Sequence, residues 1–266
     1  MRICKIILRF YGTALKNIFE YRLGTLLDVL TFFLRFTFAY LTIWILLLKF
    51  QNINGWTLYE VMFLFNLNMF ANGLESIFFF SPMQGMEQMV QYGEFDMALI
   101  RPLNPLVYTL IGRPTLAFAG NFILGIIVFV LCFTHLGIYL TAIKVVFLLL
   151  VILGGILIHC AKDLFFGSLS FWIVKTRAIS SVISCFNTVI DYPISIYGKV
   201  LQTFLTFLLP LAFVNFYPAQ YFLGKTADSL FDPVFQYGTP VVGVVLFFLA
   251  YQFWKIGVNK YESTGS

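Results

Sequence analysis

The 266-residue chain is 60% hydrophobic and only 11% charged, with a mean hydropathy of +0.89 and 33 phenylalanines spread along its length, which excludes an ordinary water-soluble domain. Its net charge of +5 does not point to nucleic acid, because the basic residues are scattered over loops and form no basic face with base-stacking aromatics. The four cysteines (Cys4, Cys132, Cys160, Cys185) have no CxxC spacing, and three lie in apolar runs where a thiol acts as a small hydrophobe, so no metal or disulfide framework is expected.

A helix needs about 20 mostly apolar residues to cross a hydrocarbon core of roughly 30 Å, and the chain offers about six such stretches. No hydrophilic block between them exceeds about 25 residues, too short for a soluble catalytic domain. Any aqueous chemistry therefore belongs to a partner. The expectation is an all-α polytopic membrane protein, one transmembrane domain over 1–266, with six transmembrane helices, an N-terminal amphipathic elbow helix and a re-entrant helical hairpin before the last span.

In chain order, residues 2–22 set Arg2, Lys5, Arg9 and Lys16 opposite Ile3, Ile6, Ile7, Phe10 and Ile18, the pattern of a helix lying in the membrane interface. With no compact apolar core and no cleavage site, this segment is not a signal peptide but a cytoplasmic elbow, placed at 1–25. Span 1 follows at Leu26–Leu48 and span 2 at Leu58–Phe80, with a cytoplasmic loop at 81–105. Span 3 is expected at Leu106–Phe133, span 4 at Val145–Val174 and span 6 at Val241–Trp254. Residues 178–223 are too long for one crossing and contain Asp191-Tyr192-Pro193, Pro210 and Pro218, which break helical hydrogen bonding. They read as span 5 followed by a re-entrant hairpin, the whole of 192–235 facing outward.

Orientation follows from Lys and Arg. With the N-terminus inside, Arg2, Lys5, Arg9, Lys16, Arg22, Arg101, Arg113, Lys175, Arg177, Lys255 and Lys260 fall inside or at that boundary, against Lys49, Lys144, Lys199 and Lys225 outside. Both termini are expected in the cytoplasm, in a multi-pass protein of the cytoplasmic membrane.

Two polar stripes interrupt the apolar spans. Asn68, Asn72 and Glu75 share a face of span 2, and Ser180, Ser184, Asn187, Thr188 and Asp191 share one in span 5. Each stripe should avoid lipid, either as the wall of a translocation path or as hydrogen-bonded helix packing. Glu75 is the costly member; Arg35 lies at similar depth if spans 1 and 2 are antiparallel, which suggests an Arg35–Glu75 ion pair, with substrate binding as the alternative. Lys162 and Asp163 are adjacent, point about 100° apart, and each calls for its own partner, whether in structural pairing or a proton relay. His135 and His159 form no ligand set.

The 81–105 loop opens with Pro82, then sets Met83, Met86, Met89 and Val90 on one helical face opposite Gln84, Glu87, Gln88 and Gln91. A stiff, turn-rich run from Tyr92 to Pro105 follows. Adaptable methionines beside Asp96 and Arg101 suit docking to a protein partner, and interfacial anchoring is the other reading of the same pattern. The run Ala219 to Thr226 approximates a phosphate-binding loop, but it follows Pro218 in an apolar segment and lacks the preceding strand, so nucleotide is not expected there.

Gly93, Phe95, Asp96, Leu99, Arg101, Pro102 and Pro105 match a G-x-F-D-x-x-L-x-R-P-x-x-P loop after span 2, which resembles a subgroup of ABC-2 type transporter permeases. The segments Tyr192–Tyr197, Pro210–Phe213 and Phe216–Ala219, and the closing Lys260–Ser266, are similar to the same subgroup. The resemblance implies an exporter permease that pairs with a second, often non-identical, permease and with two cytoplasmic ABC ATPase subunits. ATP and Mg would then sit on the partner, with no cofactor and no catalytic residue on this chain. It also implies that the region Met83–Pro105 is the coupling element, with Met83, Met86, Glu87, Met89, Gly93, Phe95, Asp96 and Arg101 as its expected contact residues.

The cargo suggested by the aromatic-rich interior is hydrophobic or amphipathic. An ion-driven carrier or channel is the rival transport reading, resting on Arg35, Glu75, Lys162 and Asp163, although no inverted repeat is evident. An intramembrane enzyme has no GxSxG or HExxH to support it.

Overall fold

The computed structural model describes residues 22–111, 118–173, 175–225 and 230–262. The expected elbow lies outside the described residues, except that 22–25 already belong to the first long helix. Among the described residues every element is helical, with a single isolated backbone bridge between Ile53 and Trp56.

Helix α1 (Arg22–Phe50) turns through 51–57 into α2 (Leu58–Glu75). Glu60 Oε2 accepts from the Thr57 backbone N–H at 2.7 Å, satisfying a donor at the start of α2 that no helical carbonyl reaches. The path continues through a π-helical turn, Ser76–Phe80, directly after Glu75, into α3 (Ser81–Gln84) and α4 (Met86–Gln91). Short helices α5 (Asp96–Leu99) and α6 (Pro105–Ile111) complete the loop, and α7 (Ala119–His135) and α8 (Ala142–Ser168) follow. Next come α9 (Arg177–Val189), α10 (Lys199–Thr203), α11 (Phe216–Leu223) and α12 (Thr239–Lys260).

Among the described residues four helices are long and apolar enough to cross a membrane: Leu23–Phe50, Leu58–Gln91, Ala142–Phe171 and Thr239–Lys260; a pair bent by 82°, Lys199–Leu208 with Leu211–Leu223, makes a fifth if counted as one. Of the six expected spans, four are among these helices, span 5 is shorter than expected, and span 3 runs through residues 112–117, which lie outside the described residues. The described parts of the expected span 3 are α6 and the apolar helix Asn121–His135. Span 5 is α9, whose 13 residues cover roughly 20 Å at 1.5 Å per residue. It stops because Pro193 can neither donate to the helix ladder nor leave Tyr192 free to stay helical.

The bundle has two ends. At one, His135 stacks on Tyr59 with ring centroids 4.1 Å apart, Asn54 donates to Ser195 O at 3.1 Å, and Lys225 pairs with Glu60 at 3.0 Å. Ser195 precedes the bent pair and Lys225 follows it, so 199–223 leaves this end and returns to it as a hairpin. The opposite end carries the 81–105 loop, the start of α9 and the close of α12.

Packing follows small residues. A Cβ added at Gly243 of α12 would lie 2.5 Å from Gly154 O of α8, so these two helices touch backbone to backbone. Helix α2 is central, while α1 and the start of α8 turn Leu23, Leu26 and Ile143 outward, as lipid-facing surfaces require.

Candidate functional site

The site is built around α9. None of its residues is fully buried, so it does not sit in the apolar core as its neighbours do. Polar bonds hold it at both ends.

Its first turn is held by the loop. Glu87 Oε2 of α4 accepts from the backbone N–H groups of Thr176 and Arg177 at 2.6 and 2.7 Å. Two orphan donors of a helix N-terminus are thereby satisfied by a carboxylate, which the helix dipole also favours.

Its last turn leads into the buried Ile190, and side chains take its closing carbonyls. Asn68 Nδ2 donates to Asn187 O at 3.4 Å, Tyr197 Oη to Val189 O at 2.9 Å, and Asn215 Nδ2 to Ile190 O at 2.6 Å. Irregular backbone at such depth survives where side chains supply the missing partners.

Between these ends lies a buried polar network. Asn68 Nδ2 donates to Asp191 Oδ1 at 2.9 Å, and Asn68 Oδ1 contacts His159 Nε2 at 3.1 Å. Lys162 Nζ donates to Asn187 Oδ1 at 3.2 Å and pairs with Asp163 Oδ1 at 3.3 Å. Glu75, 1% exposed, lies against Lys162 and Asp163 and receives Ser76 Oγ at 3.3 Å. One ammonium thus stands among two carboxyls and an amide.

This geometry corrects two expectations. Arg35 and Glu75 are not partners: Arg35 is exposed on α1, whereas Glu75 is buried beside Asp163 and Lys162, which pair with each other. Lys162 and Asp163 do pair with each other, because the long lysine stem swings back across the 100° that separates their Cβ directions.

Of the α9 stripe, Asn187 and Asp191 enter the network, and Ser180 and Ser184 face the inner cavities. Thr188 is exposed and bonds back to Cys185 O at 2.6 Å, one position off that face. Asn72 takes part through its carbonyl, which accepts from Ser76 Oγ at 2.7 Å. His159, Tyr197 and Asn215 belong to the site although no site role was expected for them. Asn215, an amide inside the run Leu211–Ala219, carried the one usable signal.

The loop differs from its expected arrangement. Met83 and Met86 are buried, packed with Phe95, Ala98, Leu164 and Trp254, so the methionine face covers the end of this chain's own bundle and is not free for a partner. Phe95 is the hub of an aromatic nest, 5.1 Å from Phe171, 5.9 Å from Trp254 and 5.2 Å from Tyr261. Gly93 has φ +69°, a conformation that suits glycine and turns the chain from α4 toward that nest. Burial, and with it the facing Asp96, raises the pKa of the Tyr261 phenol above its usual value. Met89 is half-buried, and the guanidinium of Arg101 lies 5.5 Å from the ring centroid of Tyr108. What the loop presents to solvent is Tyr92 (70% exposed), Met97, Leu99, Ile100 (74%) and Arg101.

The phosphate-loop look-alike is the end of α11. Lys225 is committed to Glu60 and to Gly55 O, and it lies 5.2 Å from the Trp56 ring. No cluster of His, Cys, Asp or Glu that could hold a metal occurs among the described residues.

The family described as ABC-2 family transporter protein matches residues 33–265, and the chain belongs to that family. No individual curated protein matches it. The resemblance drawn from the loop and the late segment therefore named the right family, whose members are membrane components of transporters associated with ABC ATPases.

Proposed function

We propose that this chain is the permease subunit of an ATP-driven ABC-2 type exporter, moving a hydrophobic or amphipathic substrate across the cytoplasmic membrane. Two cytoplasmic ATPase subunits would hold ATP and Mg, a second and related permease would complete the path, and the end bearing the 81–105 loop would face the cytoplasm together with both termini.

The observation that carries this reading is the Glu87 cap on α9. It ties the loop that presents Tyr92, Met97, Ile100 and Arg101 to the helix that bears the inner polar stripe. A push on that exposed surface would move α4, and α4 would move α9 through a charge-assisted bond. Because α9 is short, broken and polar-held, displacing it disturbs few apolar contacts.

The test is co-purification with the candidate ATPase, followed by ATP-dependent efflux in proteoliposomes. A complex with two ATPases per permease pair and ATP-dependent loss of amphipathic dye is the expected result. A lone permease whose flux follows an ion gradient would sink it and favour the carrier reading, for which the buried Glu75, Lys162 and Asp163 are the structural basis.

A further inference from the structure

Two cavities flank α9, and their chemistry differs. Near the cytoplasmic end proposed above, a groove of about 560 Å³ is lined by Ser81, Gln84, Gln88, Arg177, Ser181 and Ser184, with Phe80 and Gly85. Among these residues are two amides, three hydroxyls and a guanidinium, and no carboxylate. The nearby Glu87 is turned to the backbone N–H groups of Thr176 and Arg177, which it binds through one oxygen.

Deeper lies an apolar cavity of about 660 Å³, walled by Phe165, Phe166, Phe204, Leu208, Leu249 and Phe253. Phe253 is roughly 10 Å from the end of α12 at 1.5 Å per residue, which places the cavity at hydrocarbon depth. Exposure of Leu208 and Leu249 opens it sideways. Its one cation, Lys162, is already matched by Asp163 and Asn187.

A neck of about 10 Å³, room for a single water, lies between the two. Gln84 lines both neck and groove, while Ile183 and Phe166 line both neck and cavity. Of the neck residues, Ser180 and Ile183 are carried on α9, and Asp163 also lines it.

We propose that groove and cavity are the head and tail compartments of one binding site for an amphiphile with an anionic headgroup and an alkyl tail. Arg177, Gln84 and Gln88 bind the head, and the phenylalanine-walled cavity takes the tail. This rests on the exporter reading and adds to it the sign of the headgroup charge and the place of each half of the substrate. The ligand approaches from the inner leaflet, where its own orientation already matches the two compartments, and a small outward shift of α9 joins them at the neck.

The test uses the full chain in phosphatidylcholine nanodiscs, without ATPase, and measures binding of dodecyl phosphate, dodecyl trimethylammonium and inorganic phosphate. Dodecyl phosphate should bind, Arg177→Gln should weaken it about tenfold, the loss of one charge-assisted contact, and Arg177→Lys should recover part of that. Dodecyl trimethylammonium should bind more weakly and ignore the Arg177 substitutions, and inorganic phosphate should not compete at comparable concentration. Ile183→Trp should block both alkyl ligands, while Ile183→Ala, which widens the neck, should not.

Phosphatidylglycerol that displaces dodecyl phosphate assigns the same site to a resident lipid, and its failure to do so assigns it to a single-chain substrate. Equal affinity for wild type and Arg177→Gln, or a preference for the cation, overturns the inference. Dodecyl phosphate binding without ATP-driven efflux overturns only the exporter reading, and ATP-driven efflux of cationic amphiphiles without dodecyl phosphate binding overturns only this one.

Discussion

Glu87 and Arg177, ninety positions apart, are joined by a 2.7 Å bond from the Arg177 backbone N–H to the Glu87 carboxylate. The same oxygen takes the N–H of Thr176, so one side chain of the loop caps the whole of α9.

Removing that cap should uncouple without unfolding. An N-terminal cap contributes about 1–2 kcal/mol, small against the stability of the bundle but decisive for a helix with no fully buried residue. Glu87→Ala is expected to lower efflux at least several-fold while ATPase association stays normal, with Glu87→Gln between the two because one acceptor oxygen remains. Efflux per ATP hydrolysed in proteoliposomes measures it; an unchanged ratio in Glu87→Ala would remove α9 from the transmission path.

The exposed side of the loop, not its methionines, should carry the ATPase contact. Ile100→Asp and Tyr92→Ala are expected to reduce ATPase co-purification by about tenfold or more, as truncation of an apolar anchor does, with unchanged thermal stability of the permease alone. Met86→Ala, in contrast, removes a side chain that is 0% exposed and should lower stability by about 2–5 kcal/mol. Thermal unfolding in detergent beside a pull-down separates the two effects.

The buried ammonium has a second consequence. Lys162→Met leaves Glu75 and Asp163 facing each other with no cation between them, and loss of one partner from a buried ion pair costs about 3–5 kcal/mol. The double substitution Lys162→Met/Asp163→Asn removes one of the two stranded carboxyls, the one paired directly with Lys162, and should recover part of the loss. Detergent unfolding midpoints of the two variants check this, and equal midpoints would show that Asp163 is not the partner that matters.

Helix contact through glycine predicts a steric failure. Gly243→Val sets a branched side chain where even a Cβ would lie 2.5 Å from Gly154 O, so α8 and α12 must separate. Lower yield of folded protein and an unfolding midpoint shifted down are expected, whereas Gly198→Ala, with open space around it, should be silent.

Much was legible in order along the chain. Runs of Phe, Leu, Ile and Val determine long helices by a local requirement, since a backbone in hydrocarbon must satisfy its own hydrogen bonds. Spans 1, 2, 4 and 6 are such helices, and the prolines at 193, 210 and 218 marked a broken region that is a hairpin. The family resemblance read from the sequence agrees with the family model that matches residues 33–265.

Partner choice was not legible, because it depends on which helices meet and at what depth. Arg35 and Glu75 have compatible heights on paper, yet α1 turns Arg35 outward while α8 places Asp163 and Lys162 beside Glu75. The methionine stripe announced an amphipathic helix, but only the fold decided that its apolar face closes over Leu164 and Trp254 and leaves Tyr92 and Ile100 outside. Periodicity specifies that a face must be covered; the packed neighbours determine what covers it. The Glu87 cap shows this most directly, since a carboxylate on one helix and the bare amides of another are each visible in sequence, and their meeting is a property of the tertiary structure alone.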